Sequence, residues 1–165
     1  MLNQLLVFIG KIITGVDARD LFCLAQIILA LIKERTINLT KICLHCHYTS
    51  VRSEAHYRRL QRFIARCPIT QGQVASIILG FFEESILLDM DRTNWAFGSF
   101  EINILVLSAI YKGYSFPLFW TLWLHKVCSP SEDRIDLVKT FIQAFGAHPI
   151  KALLMDLEFI APPVA

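Results

Sequence analysis

Two short runs carry paired acids. LLDMDRTNWAFG, residues 87–98, sets Asp89 and Asp91 behind an apolar run, and LLMDLEF, residues 153–159, does the same for Asp156 and Glu158. Residues two apart on a strand face the same side, so each pair would project together. If the strands carrying them lie side by side, acids from distant sequence meet in one small volume. Like charges so placed repel, and a divalent cation neutralises them. Oxygen-only ligands suit magnesium or manganese. Two such ions about 4 Å apart activate a water and stabilise the leaving oxygen of a phosphodiester. The plainer alternative is that each acid, taken singly, ends a strand at the solvent.

A second constellation is basic. In SEAHYRRLQRFIARCP, Arg58, Arg62 and Arg66 stand four apart with Arg59 beside the first, so four guanidinium groups share one side of a helix whose apolar stripe is Leu60, Phe63 and Ile64. The planar fork of arginine donates two hydrogen bonds to one anion, which suits the phosphates of duplex DNA. A solvated basic face is the competing reading. A third constellation, CLHCH at 43–47, has the Cys-x-x-Cys spacing of a zinc site. A closed site needs four ligands; Cys67 and His56 are the only nearby additions, and the apolar neighbours Ile42 and Leu44 favour buried thiols on a helix.

These groups need elements to position them. The chain has 165 residues, of which 55% are hydrophobic, enough to bury a real core and too apolar for a disordered protein. The run FCLAQIILALI (22–32) has eleven residues, too few to span a bilayer. Residues 102–124 are long enough, but Lys112-Gly113 interrupts them and reads as a hairpin turn. With no basic residue ahead of its first apolar run, the N-terminus does not read as a secretory signal. Together with five cysteines this predicts a cytoplasmic protein with no membrane partner.

Charge divides the chain. Residues 1–80 hold a net +6 and residues 81–165 a net −4, which together give its +2. Helical spacing runs from Asp20 to Glu34 through Leu21, Leu24, Ala25, Ile28, Leu31 and Ile32, and Thr36 or Asn38 can cap a second, short helix. A third helix starts at Ser53 and stops before Pro68. Beyond residue 84 the period changes: 85–91, 100–112 and 114–124 read as three strands, 131–146 as a helix closed by Gly146, and 150–161 as a fourth strand. The expected architecture is α+β or α/β: a helical bundle over 1–80 that binds DNA, then a sheet domain over 81–165.

LLDMDRTNWAFGSFEINILVLSAIYKGYSFPLFWTLW, followed by LMDLEF, resembles the DDE transposases of bacterial insertion sequences, in particular the IS-four group. RTINLTKICLHCHYTSVRSEAHYRRLQRF is similar to the N-terminal helical region of that group, so the resemblance spans roughly residues 20 to 161. It implies a ribonuclease-H-like sheet in which Asp91 is the first catalytic and metal-binding carboxylate and Asp156 the second. Asp89 falls where the family has an apolar or small residue. The implied activity is metal-dependent cleavage at transposon ends and strand transfer, with Mg2+ or Mn2+ as cofactor. The implied partner is double-stranded DNA, held by a homodimer.

This chain departs from the family in two ways. Leu157 replaces an arginine, and no Tyr…Arg…Glu…Lys signature supplies the third carboxylate before the closing APPVA. The expectation is therefore an N-terminal fragment with an incomplete sheet, apolar surface on one face, weak metal binding and no cleavage. A non-catalytic protein that occupies transposon ends is the alternative function.

Overall fold

The computed structural model describes residues 1–46, 53–82, 85–123, 131–146 and 150–156. Among them are six helices and a four-stranded mixed sheet, an α+β architecture. The chain divides into two compact units, Met1–Ile69 and Thr70–Ala165.

The first unit is helical: α1 Leu2–Ile12, α2 Ala18–Glu34, α3 Leu39–Leu44 and α4 Ser53–Arg66. Asp17 starts α2 by accepting a 2.7 Å hydrogen bond from the Arg19 amide, and Asn38 starts α3 by accepting one of 2.9 Å from the Thr40 amide. Such caps satisfy backbone donors that the helix itself leaves open. The core joins Cys23, Ala30, Ile42, Cys43, Cys46, Leu60 and Phe63.

The buried side of α2 matches the expected stripe only in part: Ala25 is buried and Leu24 and Leu31 pack against the core. Cys23, Ala25, Gln26 and Ala30 are buried, whereas Ile32 is 69% exposed. Helix α1, an element the periodicity reading had not assigned, packs along α2 and buries Ile9. Small residues let neighbouring helices approach closely, and the broad apolar surface of α2 hid which side that would be.

The second unit begins at Thr70, so α5 (Gln71–Leu79) belongs with the sheet although the charge division lies near residue 80. A reciprocal cap opens α5: Thr70 Oγ1 accepts from the Gln73 amide at 3.2 Å, and Gln73 Oε1 accepts from the Thr70 amide at 3.0 Å. The strands are β1 Ile86–Phe97, β2 Phe100–Tyr111, β3 Tyr114–Trp123 and β4 Ile150–Met155, with α6 Ser131–Phe145 between β3 and β4. Their order is β3-β2-β1-β4; β1–β2 and β2–β3 are antiparallel and β1–β4 is parallel.

Lys112 and Gly113 form the β2–β3 turn with φ of 50° and 82°, the left-handed pair that matches the twist of a two-residue hairpin. Strand β1 runs six residues beyond the expected end at Asp91 and forms a hairpin with β2, in which Phe97 pairs with Phe100. RTNWAF is polar enough to look like a loop, and its partner strand keeps it extended. The continuation of β4 expected over 157–161 lies outside the described residues.

The core lies on one face of the sheet. Ile86, Leu88 and Met90 of β1 and Leu105, Leu107 and Ala109 of β2 meet Ala75 and Leu79 of α5 and Leu137 and Phe141 of α6. The other face leaves Trp95, Leu122 and Leu154 exposed by 64, 57 and 45%. Among the described residues no helix is long and apolar enough to cross a membrane.

Candidate functional site

Asp91 and Asp156 are brought to neighbouring positions by the parallel pairing of β1 with β4. Met90 pairs with Met155 at the last step of that ladder, and Asp91 and Asp156 each follow directly. The acids therefore mark the end of the β1–β4 ladder. They do not mark the end of β1, which continues beside β2. Both acids are exposed. Asp91 turns one carboxylate oxygen back to accept from the Arg92 amide at 2.8 Å.

Asp89 shares the face of Asp91, between Ser108 of β2 and Leu154 of β4. Partial burial, and then the neighbouring charge of Asp91, push its carboxyl above the usual range. Glu158 lies outside the described residues. Among those described, no group of three or more His, Cys, Asp or Glu side chains is arranged to hold a metal. Two exposed carboxylates do not by themselves furnish a cage for two divalent ions.

In the helical unit the arginines of α4 divide. Arg59, Arg62 and Arg66 line a groove of about 420 Å³ with Arg19, Asp17 and Asp20 from the first turn of α2, over Cys23 and Phe63. Arg66 is ion-paired to Asp20. Arg62 Nε donates to the Arg58 carbonyl at 3.3 Å. Arg58 stands apart from the groove and pairs with Glu54 one turn back at 2.7 Å. Four guanidinium groups on one side, the sequence expectation, become three in a groove and one outside it. The reading from sequence missed Arg19 and Asp20. The available signal was the D-A-R-D run at a helix start, where a capping Asp17 must put both in the first turn.

The Cys-x-x-Cys pair is core. Cys43 Sγ donates to the Thr40 carbonyl at 3.0 Å and Cys46 Sγ to the Ile42 carbonyl at 3.5 Å. Burial, with Cys23 and Cys43 nearby, pushes the Cys46 thiol up to about 11. A thiol held protonated packs as a small apolar group and is a poor metal ligand near neutrality. Beside it, Glu34 lies 2.6 Å from His45 Nε2, and Lys33 Nζ lies 3.1 Å from His45 Nδ1. With Nε2 carrying the proton toward the carboxylate, Nδ1 accepts from the lysine. His47 lies outside the described residues.

No protein-family model matches this chain, and neither a curated protein nor a solved structure matches it significantly.

Proposed function

We propose that this chain is a transposase-type DNA-binding protein of the IS-four kind: its helical unit binds duplex DNA through Arg58, Arg59, Arg62 and Arg66, and its sheet unit carries two carboxylates of a DDE site, Asp91 and Asp156. The observation that carries the reading is the register of β1 with β4, which sets Asp91 beside Asp156 although 64 residues separate them. Adjacent strands lie about 4.8 Å apart, within reach of one cation for two carboxylates. The antiparallel run β1–β2–β3 followed by a parallel β4 supports an incomplete ribonuclease-H-like sheet.

Asp91 and Asp156 would hold the magnesium or manganese ion, which when bound would supply Lewis-acid activation of a water toward a phosphodiester. The protein's own part is to hold two carboxylates at the end of a rigid ladder and to bring DNA phosphates to its arginines. With no three-membered acidic group among the described residues, the reading favours a protein that occupies transposon ends in the cytoplasm, as a homodimer across two ends, without cutting them.

The test is an electrophoretic shift and nicking assay on transposon-end duplexes at stepped KCl with Mg2+. A salt-sensitive shift with intact strands is expected. Cleavage lost on Asp91→Asn would restore the enzyme reading, and a shift that is absent or indifferent to salt would remove the DNA-binding one.

A further inference from the structure

The α2–α4 groove collects charge from two parts of the chain. Arg19 enters from α2 and Arg59, Arg62 and Arg66 from α4, against the carboxylates of Asp17 and Asp20. Four cations facing two anions leave the groove net positive by two. The carboxylate of Asp20 is the recessed member, only 13% exposed, while its partner Arg66 is 65% exposed. An oxyanion of the chain itself thus already sits on one guanidinium of the groove. Arg19 is well exposed, at 84%, and held loosely against Asp17 at 3.4 Å.

We propose that this groove seats a phosphodiester group of duplex DNA, with Arg19 joining Arg59 and Arg62 as donors and Asp20 acting as the built-in anion that keeps Arg66 engaged until DNA arrives. The proposal rests on the reading of the helical unit as DNA-binding and adds to it the place, a donor from α2 and a competitor. A phosphate oxygen needs planar, forked donors converging from more than one direction. Arginines on one helix face present a row, and Arg19 supplies the opposing side. Asp20 repels the incoming phosphate and competes for Arg66, so affinity is held below what the arginines alone would give. Arg58, paired with Glu54 outside the groove, meets the duplex away from this seat.

Anisotropy titration of the full chain with a short fluorescent duplex, repeated at several KCl concentrations, tests this. Each phosphate contact contributes about 0.9 to the slope of log K against log salt. Arg19→Ala is expected to lower the slope by about that amount. Lys41→Ala, the same loss of charge from an exposed site on α3, is expected to leave it unchanged. Asp20→Asn is expected to tighten binding.

Equal losses from Arg19→Ala and Lys41→Ala would mean that binding follows net charge, and the groove is not a seat. Weaker binding by Asp20→Asn, with an unchanged melting temperature, would also overturn the proposal. Should Asp20→Asn lower the melting temperature, the comparison of Arg19→Ala with Arg19→Glu decides, since neither alters a buried group and the reversed charge must cost more. Wild-type chain that binds no duplex at all removes the DNA reading itself, whereas intact binding with indifferent groove variants removes only the groove.

Discussion

Asp91 and Asp156 stand one residue past a registered pair, Met90 and Met155, on adjacent parallel strands. β1 passes through Asp91 and continues beside β2, whereas Asp156 directly follows β4, the edge strand of the sheet among the described residues. Both acids are exposed at this step. The proposed metal binding rests on this placement, and it gives the first prediction.

Magnesium added to the full chain is expected to bind weakly, through Asp91 and Asp156 together, and to be lost in Asp91→Asn and in Asp156→Asn alike. Manganese broadening of backbone resonances around residues 90–92 and 154–156 reads this directly. Broadening that survives both substitutions would place the ion elsewhere.

Asp89 has a carboxyl held above its usual range by partial burial and by Asp91. The folded protein therefore keeps the Asp89 proton at pH values where the unfolded chain has released it. Its ionisation opposes folding as pH rises past the ordinary carboxylate range, and the penalty is absent at lower pH. Asp89→Asn should raise the melting temperature at pH 7 and leave it unchanged near pH 3. A lower melting temperature at pH 7 would show that the charge is needed for folding.

The Cys46 thiol is pushed up to about 11 by burial against an ordinary value of 9.0. Between these values the unfolded chain ionises while the folded one does not, so stability should fall as pH rises above about 9. Cys46→Ala removes that part of the pH dependence. In the folded protein iodoacetamide is expected to modify exposed Cys67 well before buried Cys23, Cys43 or Cys46, and peptide mapping after a timed pulse gives the order.

Gln71 pairs with the backbone of Trp120 as a strand would: Nε2 donates to its carbonyl at 3.0 Å and Oε1 accepts from its amide at 3.1 Å. Gln71→Ala leaves both part-buried groups without these partners, a loss of about 1–3 kcal/mol in urea unfolding. Gln71→Glu keeps the acceptor but sets a carboxylate oxygen against the Trp120 carbonyl, so near neutral pH it should be at least as destabilising as alanine. An alanine variant as stable as wild type would mean that water replaces the side chain without cost.

Phe141 is fully buried on α6 and meets Phe119 edge-on at 6.4 Å between ring centres, whereas Ile142 next to it is 46% exposed. Phe141→Ala should cost about 3–5 kcal/mol, and Ile142→Ala much less. Comparable losses from the two would put the core on the wrong side of α6.

Local chemistry was legible in the sequence wherever a residue acts through its chain neighbours. The Lys112-Gly113 turn, a cap at Thr36 or Asn38 (Asn38 takes it), helix α6 as an element, and the strands now named β2 and β3 are of this kind. Alternation in β2, with 103, 105, 107 and 109 buried and the even positions from 102 to 106 half-exposed, follows from having a core on one face only. Helix α1 and α5 escaped that reading. Leu2–Ile12 starts at Met1 without a side-chain cap to mark it, and α5 is short and rests on a reciprocal cap between Thr70 and Gln73.

By itself the sequence determined which residues carry charge, which segments alternate, and that acids sit at two apolar runs, with 64 residues between Asp91 and Asp156. The tertiary structure decided what meets. Parallel pairing of β1 with β4 is a long-range choice that no turn between them specifies, because a helix intervenes and register depends on which faces are buried. Sorting of the arginines depends likewise on α2 packing near α4: helical spacing grouped Arg58 with Arg62 and Arg66, while the groove takes Arg59, Arg62 and Arg66, adds Arg19, and leaves Arg58 to Glu54. Spacing along a helix says which side chains share a face, and only the neighbouring helix says which of them share a site.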